Sequence, residues 1–356
     1  MIKIGFFVLT LNKGGLERVV NNLTNQLSND YDITIYTFFS SNVAYDFNNK
    51  IKIIHIGKKY KRNIFNIFYW KKKIISATED LDIIVSFGDK LNKMLLMFNK
   101  HKKPIIISER NNPKVDNRSF LSNILDKILY QKSDKIVFQT EEVKKMYSKK
   151  IQNKSVVINN PVINGLPKST RSKNVIFTIG RLTKQKNQAL LIKAFKSILL
   201  KHPEYKLIIL GDGELKDDLV NLAHSLNINQ SVEFAGIRDQ IHDFIKDFKI
   251  FVLPSLYEGQ SNALLEAYLM GIPSIGSNTI GINSIITNKE TGLLFENNSK
   301  DDLINKLTYA IENYNSFSLL ADNAVKDNML YDLKNITKQW REIFENLLIS
   351  KSENKK

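Results

Sequence analysis

Two glutamates, Glu258 and Glu266, stand with seven residues between them in the run KIFVLPSLYEGQSNALLEAYLMGIPSI, residues 249–275. A strand-like stretch ends at Pro254, a loop carries Glu258 and Gly259, and a helix is predicted to begin near Gln260 to Asn262. Such a helix start offers free backbone N–H groups and about half a positive charge, which suits a diphosphate. Gly259 lets the backbone approach a ligand with no side chain in the way. Ser261 and Asn262 can cap the helix or touch phosphate oxygens, and Gln260 and Ala263 belong to the same tip. Glu266 lies one turn beyond Asn262 on the same face, deeper along the helix at about 1.5 Å per residue. The two carboxylates can therefore hold hydroxyls on different parts of one long ligand: Glu258 those of a transferred sugar, Glu266 those of a ribose. The plain alternative is a capped helix with two solvated glutamates.

Further candidates stand at other strand ends. In TIGRLTKQKNQALL (178–191), Gly180 and Arg181 close a strand and Lys186 precedes a helix. Phosphates that leave in a transition state need cations fixed beside them. In LGDGEL, Gly211, Asp212 and Gly213 follow a strand, where a simple exit turn is the rival reading. Gly236 and Ile237 in VEFAGIRD form a weaker signal, and Gly14 and Gly15 in LNKGGLERVV turn a strand into a helix. The spacing is not GxGxxG, so a nicotinamide cofactor is disfavoured. KPIIISER ends on Glu109 and Arg110, followed by Asn111. Glu109 is either a base for an acceptor hydroxyl or the ion-pair partner of Arg110. Asp80, Leu81 and Asp82 spell a DxD pattern but precede a strand, at the wrong end of a sheet for a ligand. They read as a solvated loop. The chain has no cysteine and five scattered histidines, so no metal site is expected.

These residues need a scaffold of strand ends and helix starts. IKIGFFVLTL, YDITIYTF, IKIIHI, LDIIVSFG, KPIIISE and DKIVFQT are short apolar runs separated by helical stretches. That alternation predicts a parallel sheet covered on both faces. After the Pro- and Gly-containing segment at about 160–174 the pattern restarts with NVIFTIGRL, YKLIILGDGE, SVEFAG, KIFVLPS and PSIGS. The expected fold is α/β: two Rossmann-like doubly wound domains facing each other across a cleft, residues 1–166 and 167–332. A last helix at 333–350 carries Ile336, Trp340, Ile343, Phe344 and Leu347 on one face and is expected to pack back on the first domain. The tail SENKK is expected to fray.

The Glu258–Gly259 and Glu266–Ala267 pattern resembles the signature of the retaining glycosyltransferases of family 4, which have the GT-B fold. The resemblance covers nearly the whole chain and points to the family, not to one member. It implies that Arg181 and Lys186 bind the donor diphosphate, that the Gly211–Asp212 loop lies near the nucleotide, and that Gly236 and Ile237 receive the base. It also implies that Gly14 and Gly15 approach the diphosphate or the acceptor, and that no metal is needed. The implied reaction moves a hexose or N-acetylhexosamine from a UDP-sugar, a co-substrate and not a cofactor, to a lipid-linked or polysaccharide acceptor, with retention. Bacterial capsule, exopolysaccharide and lipid-linked oligosaccharide synthesis all fit. Many relatives carry a histidine near the end of the strand matching KPIIISER; here Ser108, Glu109, Arg110, Asn111 and Asn112 stand there. Glu109, Arg110 or backbone could take its role, with Arg110 and Asn111 on the acceptor side.

At 43% hydrophobic and 25% charged residues the chain is an ordinary globular protein, which excludes disordered and fibrous classes. Residues 1–170 hold 29 Lys and Arg against 14 Asp and Glu, and residues 171–356 hold 23 against 22, so nearly all of the +16 lies in the first half. One domain is therefore expected to meet a polyanion. No recognised nucleic-acid motif is present, so an anionic membrane surface is the expected partner and no nucleic acid is. GKKYKRNIFNIFYWKKKII (57–75) interleaves lysines with aromatics. It reads either as a helix lying in a headgroup zone or as a core helix with its lysines in water. No uncharged apolar run reaches the roughly 18 residues needed to span a bilayer, and the N-terminus does not read as a signal peptide. The expected location is cytoplasmic, peripheral to the inner face of the membrane. Two alternatives stand: a nucleotide-sugar epimerase of GT-B fold, and a basic nucleic-acid-binding protein.

Overall fold

The computed structural model describes residues 1–39, 42–57, 67–110, 120–163, 165–326 and 328–353. The chain forms two units, Met1–Ile163 with Leu330–Lys356, and Asn164–Met329. The breaks fall three residues before the 166/167 and 332/333 boundaries read from the sequence. Leu330 to Asp332 are tied to the first unit, with Val162 N donating to Tyr331 O at 2.8 Å and Val162 bridging to Asp332.

In the first unit β1 (Lys3–Val8), β2 (Asp32–Thr37), β3 (Lys52–His55), β4 (Ile83–Phe87), β5 (Ile105–Glu109), β6 (Lys135–Phe138) and β7 (Ser155–Val157) form a seven-stranded sheet. Its order is β3-β2-β1-β4-β5-β6-β7 and every pair is parallel. β4 and β5 are buried at every position, as expected for strands covered on both faces. The helices are α1 (Gly15–Leu27), α2 (Ile67–Thr78), α3 (Asp89–Phe98), α4 (Phe120–Leu129), α5 (Glu141–Lys145) and α6 (Lys149–Gln152). The chain order reverses between β1 and β4, and in such sheets ligands bind where strand ends diverge at that point.

The second unit repeats the plan with β8 (Lys173–Ile179), β9 (Lys206–Leu210), β10 (Val232–Gly236), β11 (Phe248–Leu253), β12 (Ser274–Ser277) and β13 (Leu293–Phe295). Their order is β10-β9-β8-β11-β12-β13, again parallel, and the switch lies between β8 and β11. Its helices are α7 (Gln188–Leu199), α8 (Lys216–Ser225), α9 (Ile241–Ile245), α10 (Asn262–Leu269), α11 (Ile280–Asn283), α12 (Lys300–Glu312) and α13 (Tyr314–Val325), and the short α14 (Asn328–Tyr331) spans the second break. The linker proposed at 160–174 is shorter than expected: β8 already begins at Lys173, and Arg171 is fastened to the second unit by Nε donating to Gly271 O at 2.8 Å and an ion pair with Asp322 at 2.6 Å.

Helix α15 (Leu333–Glu353) belongs to the first unit and runs past the expected end at 350. Ile336, Trp340, Ile343 and Phe344 are buried in one cluster with Val20, Leu23, Leu27 and the strand residues Phe6 and Phe87. Phe344 meets Tyr31 edge-on at 5.5 Å. On α2, Trp70 and Ile74 point inward, one helical turn apart, with Trp70 5.2 Å from Phe38. Phe68 is 80% exposed, and Lys71, Lys72 and Lys73 are exposed beside it. The two readings of this segment therefore divide between two faces of one helix; residues 58–66 lie outside the described residues. Asp82 of the DxD pattern is spent locally, accepting from Lys3 N at 2.9 Å.

Candidate active site

The switch point of the second unit sets the site. β8 ends at Ile179 and delivers Gly180 and Arg181; its neighbour β11 ends at Leu253 and delivers the loop to Glu258. Two glycines let neighbouring loops close on one another. A Cβ on Gly211, at φ +130°, would lie 2.0 Å from Gly180 O, and one on Gly213 would lie 2.5 Å from Leu182 O. Gly180 N donates to Leu210 O, Leu182 N to Asp212 O and Leu215 N to Leu182 O, at 2.9 to 3.0 Å. Asp212 Oδ1 accepts from Gly213 N at 2.9 Å. Gly211 and Asp212 thus fasten the loop that carries the cations. The reason for glycine here is backbone packing.

That loop is also laced to the carboxylate loop. Leu256 N donates to Gln185 O at 2.8 Å, and Gln185 Nε2 donates to Tyr257 O at 2.9 Å. The aliphatic stem of Lys186 crosses Gly180, where a Cβ would stand 3.2 Å from it. Lys186 Nζ then donates to Glu258 Oε1 at 2.5 Å. Both groups are largely buried, Lys186 at 15% and Glu258 at 8% side-chain exposure. Arg181 is exposed and its side chain has no partner among the described residues.

Helix α10 starts where the tip was expected. Ser261 is its cap, accepting from Leu264 N at 3.4 Å. This hydroxyl therefore makes the capping contact. Gln260 and Ser261 are buried, while Asn262 and Ala263 are partly exposed. Gly259 is covered from behind by Gly281 of α11, where a Cβ would lie 1.6 Å from Gly259 O and 2.6 Å from Glu258 O. Glu266, 9% exposed, accepts at Oε2 from His242 Nε2 of α9 at 2.9 Å, and His242 is 20% exposed. Gly236, at φ +66°, has open space around it, and Ile237 is 57% exposed. Gly236 O receives Gly211 N at 2.8 Å.

In the first unit Gly14 sits at the start of α1 in extended backbone. Its N–H donates to Tyr45 Oη at 3.0 Å, and that hydroxyl donates back to Gly14 O at 2.8 Å. The Gly14 amide expected to face a ligand is therefore already bonded within the unit. Gly15 begins α1 and has a bonding partner of its own. Glu109 is 1% exposed and its Oε2 accepts from Tyr130 Oη at 2.7 Å and from Tyr147 Oη at 3.4 Å. Burial and then the Glu109 charge raise the Tyr130 phenol well above its ordinary value, so it remains a donor. Two hydroxyl donors on a buried carboxylate suit an orienting group better than an acceptor base. Arg110 donates from one terminal nitrogen to Asn160 Oδ1, which Gln139 Nε2 also reaches at 2.7 Å, and it stacks 5.0 Å over the Phe87 ring. Burial brings the Arg110 guanidinium down to about 9, against the opposing pull of Glu109. Its Nε has no partner among the described residues. Asn111 lies outside the described residues.

His242, Gln185, Gly281, Tyr45, Tyr130 and Tyr147 were not singled out from the sequence. Gly281 alone had a local signal, a glycine opening a helix after a strand; the others act across long separations.

Two family models cover most of the chain: Glycosyltransferase Family 4 matches residues 13–163 and Glycosyl transferases group 1 matches residues 166–327. The chain belongs to the family 4 glycosyltransferases. An uncharacterized glycosyltransferase of Haemophilus influenzae is 28% identical over 355 residues, with 96% of this chain and 100% of that protein covered. A Campylobacter jejuni protein is 25% identical over 358 residues, with 96% of this chain and 97% of that protein covered. It is named an α-1,4-N-acetyl-D-galactosaminyltransferase acting on a diphosphoundecaprenol-linked glycan. Among solved structures, Anabaena HepE in complex with UDP and glucose has a TM-score of 0.83 at 16% identity, covering 97% of this chain and 100% of that one. This family 4 glycosyltransferase thus has the GT-B fold. No helix among its described residues is long and apolar enough to cross a membrane.

Proposed function

We propose that this glycosyltransferase moves a hexose or N-acetylhexosamine from a UDP-sugar to a lipid-linked or polysaccharide acceptor in bacterial surface glycan synthesis, with retention of configuration. The observation that carries the reading is the lacing of one cation and one carboxylate at a single switch point: Lys186 on Glu258, beside the open tip of α10. In this reading Arg181, Lys186 and the amides at Gly259 to Ala263 stabilise the leaving diphosphate without a metal. Glu258 holds hydroxyls of the transferred sugar, Glu266 those of the ribose, and the backbone at Gly236 and Ile237 the base. The acceptor is assigned to the first unit, at Glu109 and Arg110. Support for the donor comes from the UDP in the HepE complex, and for the acceptor from the named substrate of the Campylobacter relative.

The test is UDP release with a panel of UDP-sugars and an extracted lipid-linked acceptor pool. Glu258→Ala and Lys186→Ala should each lose more than about 100-fold in turnover while keeping the circular dichroism of the wild type. Near-normal turnover in both refutes the site. Isomerised donor without acceptor would instead support an epimerase.

The same proposal places the protein on an anionic membrane surface from the cytoplasmic side. Exposed Phe68 with Lys71, Lys72 and Lys73 on α2 supports it, since an aromatic ringed by lysines suits a headgroup layer. Sedimentation with vesicles should pull the protein down with acidic phospholipid and not with phosphatidylcholine alone. Phe68→Ser should weaken that binding, and equal recovery in both supernatants ends the idea.

A further inference from the structure

We infer that His242 is a positioning residue for the donor: it fixes the Glu266 carboxylate that grips the nucleotide. The inference rests on the reading that Glu266 holds the ribose of a UDP compound.

Glu266 stands on the second turn of α10, its side chain 9% exposed, and a carboxylate so placed has many rotamers but little water to hold any one of them. His242, on the separate short helix α9, ends that freedom with a 2.9 Å contact from Nε2 to Oε2. A carboxylate with one oxygen held by an imidazole keeps one orientation, and a fixed orientation is what recognition of a vicinal diol requires. Helix α9 is itself held in place: Ile245 is fully buried, and Lys246 N donates to His242 O at 3.0 Å. The β10–α9 connection carries Gly236 and Ile237, the segment assigned to the base, so one short stretch addresses base and ribose together.

The experiment is calorimetric titration of the full-length protein. With UDP at about pH 8, His242→Ala should bind about ten-fold more weakly than wild type, as for loss of a hydrogen bond to a charged group. His242→Gln, which keeps a neutral donor at a similar reach, should recover most of that loss. Unchanged UDP affinity in folded His242→Ala overturns the inference, as does a His242→Gln variant that recovers none of the loss. Wild-type protein that binds no UDP at all overturns the donor reading beneath it, an outcome visible before any variant is made.

Discussion

Lys186 and Glu258 neutralise each other in the free protein at 2.5 Å, and a bound diphosphate has to change that. In the proposed reaction the lysine shares or exchanges its partner, and the carboxylate turns to the sugar. Removing the carboxylate charge should leave the lysine wholly to the phosphates. Glu258→Gln is accordingly expected to bind UDP at least as tightly as wild type while losing transfer, and Lys186→Ala to bind it about ten-fold or more weakly. Calorimetry with UDP distinguishes the two; weaker UDP binding in Glu258→Gln would mean that Glu258 serves the nucleotide itself. Lys186→Ala also strands a nearly buried carboxylate, so its midpoint of thermal unfolding should fall. The site carboxylates and cations were legible because charge type and spacing repeat a strand, loop and helix start. His242 and Gln185 were not legible, because their partners lie 24 and 72 residues away. No local period marks such a pair.

Among elements, glycines at the strand ends separate two demands. Gly236 has φ +66° and nothing within 4 Å of an added Cβ, whereas Gly211 has φ +130° and a carbonyl 2.0 Å away. Gly236→Ala should cost about 1 kcal/mol from the dihedral alone, and Gly211→Ala about 3 kcal/mol or more, because the loops carrying Arg181 and Lys186 must part. Urea unfolding measures both, and equal costs would mean that the Gly180–Gly211 contact yields easily. The strands themselves were readable as apolar runs of the length that parallel, doubly covered sheets require. The role of the glycines was not, since a glycine that admits a phosphate and one that admits another loop look alike in sequence. Helix α2 shows the same limit: the Lys and aromatic pattern was plain, but the division of Trp70 inward and Phe68 outward depends on Phe38 beneath it.

For the whole molecule, the charge excess of the first half was countable, and the presence of two α/β units followed from the restart of the strand pattern. The final helix matters most here, because it returns about 170 residues after the rest of its unit to complete that unit's core. Trp340 lies 6.0 Å from Phe87, and the Arg110 guanidinium stacks 5.0 Å over that same Phe87 ring. A fully buried indole therefore supports the platform assigned to the acceptor, while the donor residues belong to the other unit. Trp340→Ala should destabilise the first unit by about 3–5 kcal/mol. At a temperature where the variant is still folded, UDP affinity should match the wild type, because α15 completes the core of the first unit and the groups assigned to the nucleotide belong to the second. Transfer should nevertheless fall through a raised KM for the lipid-linked acceptor, as Arg110 loses a fixed ring beneath it. A two-substrate kinetic analysis reads the two constants separately. If the donor constant moves and the acceptor constant does not, Arg110 has been given the wrong substrate.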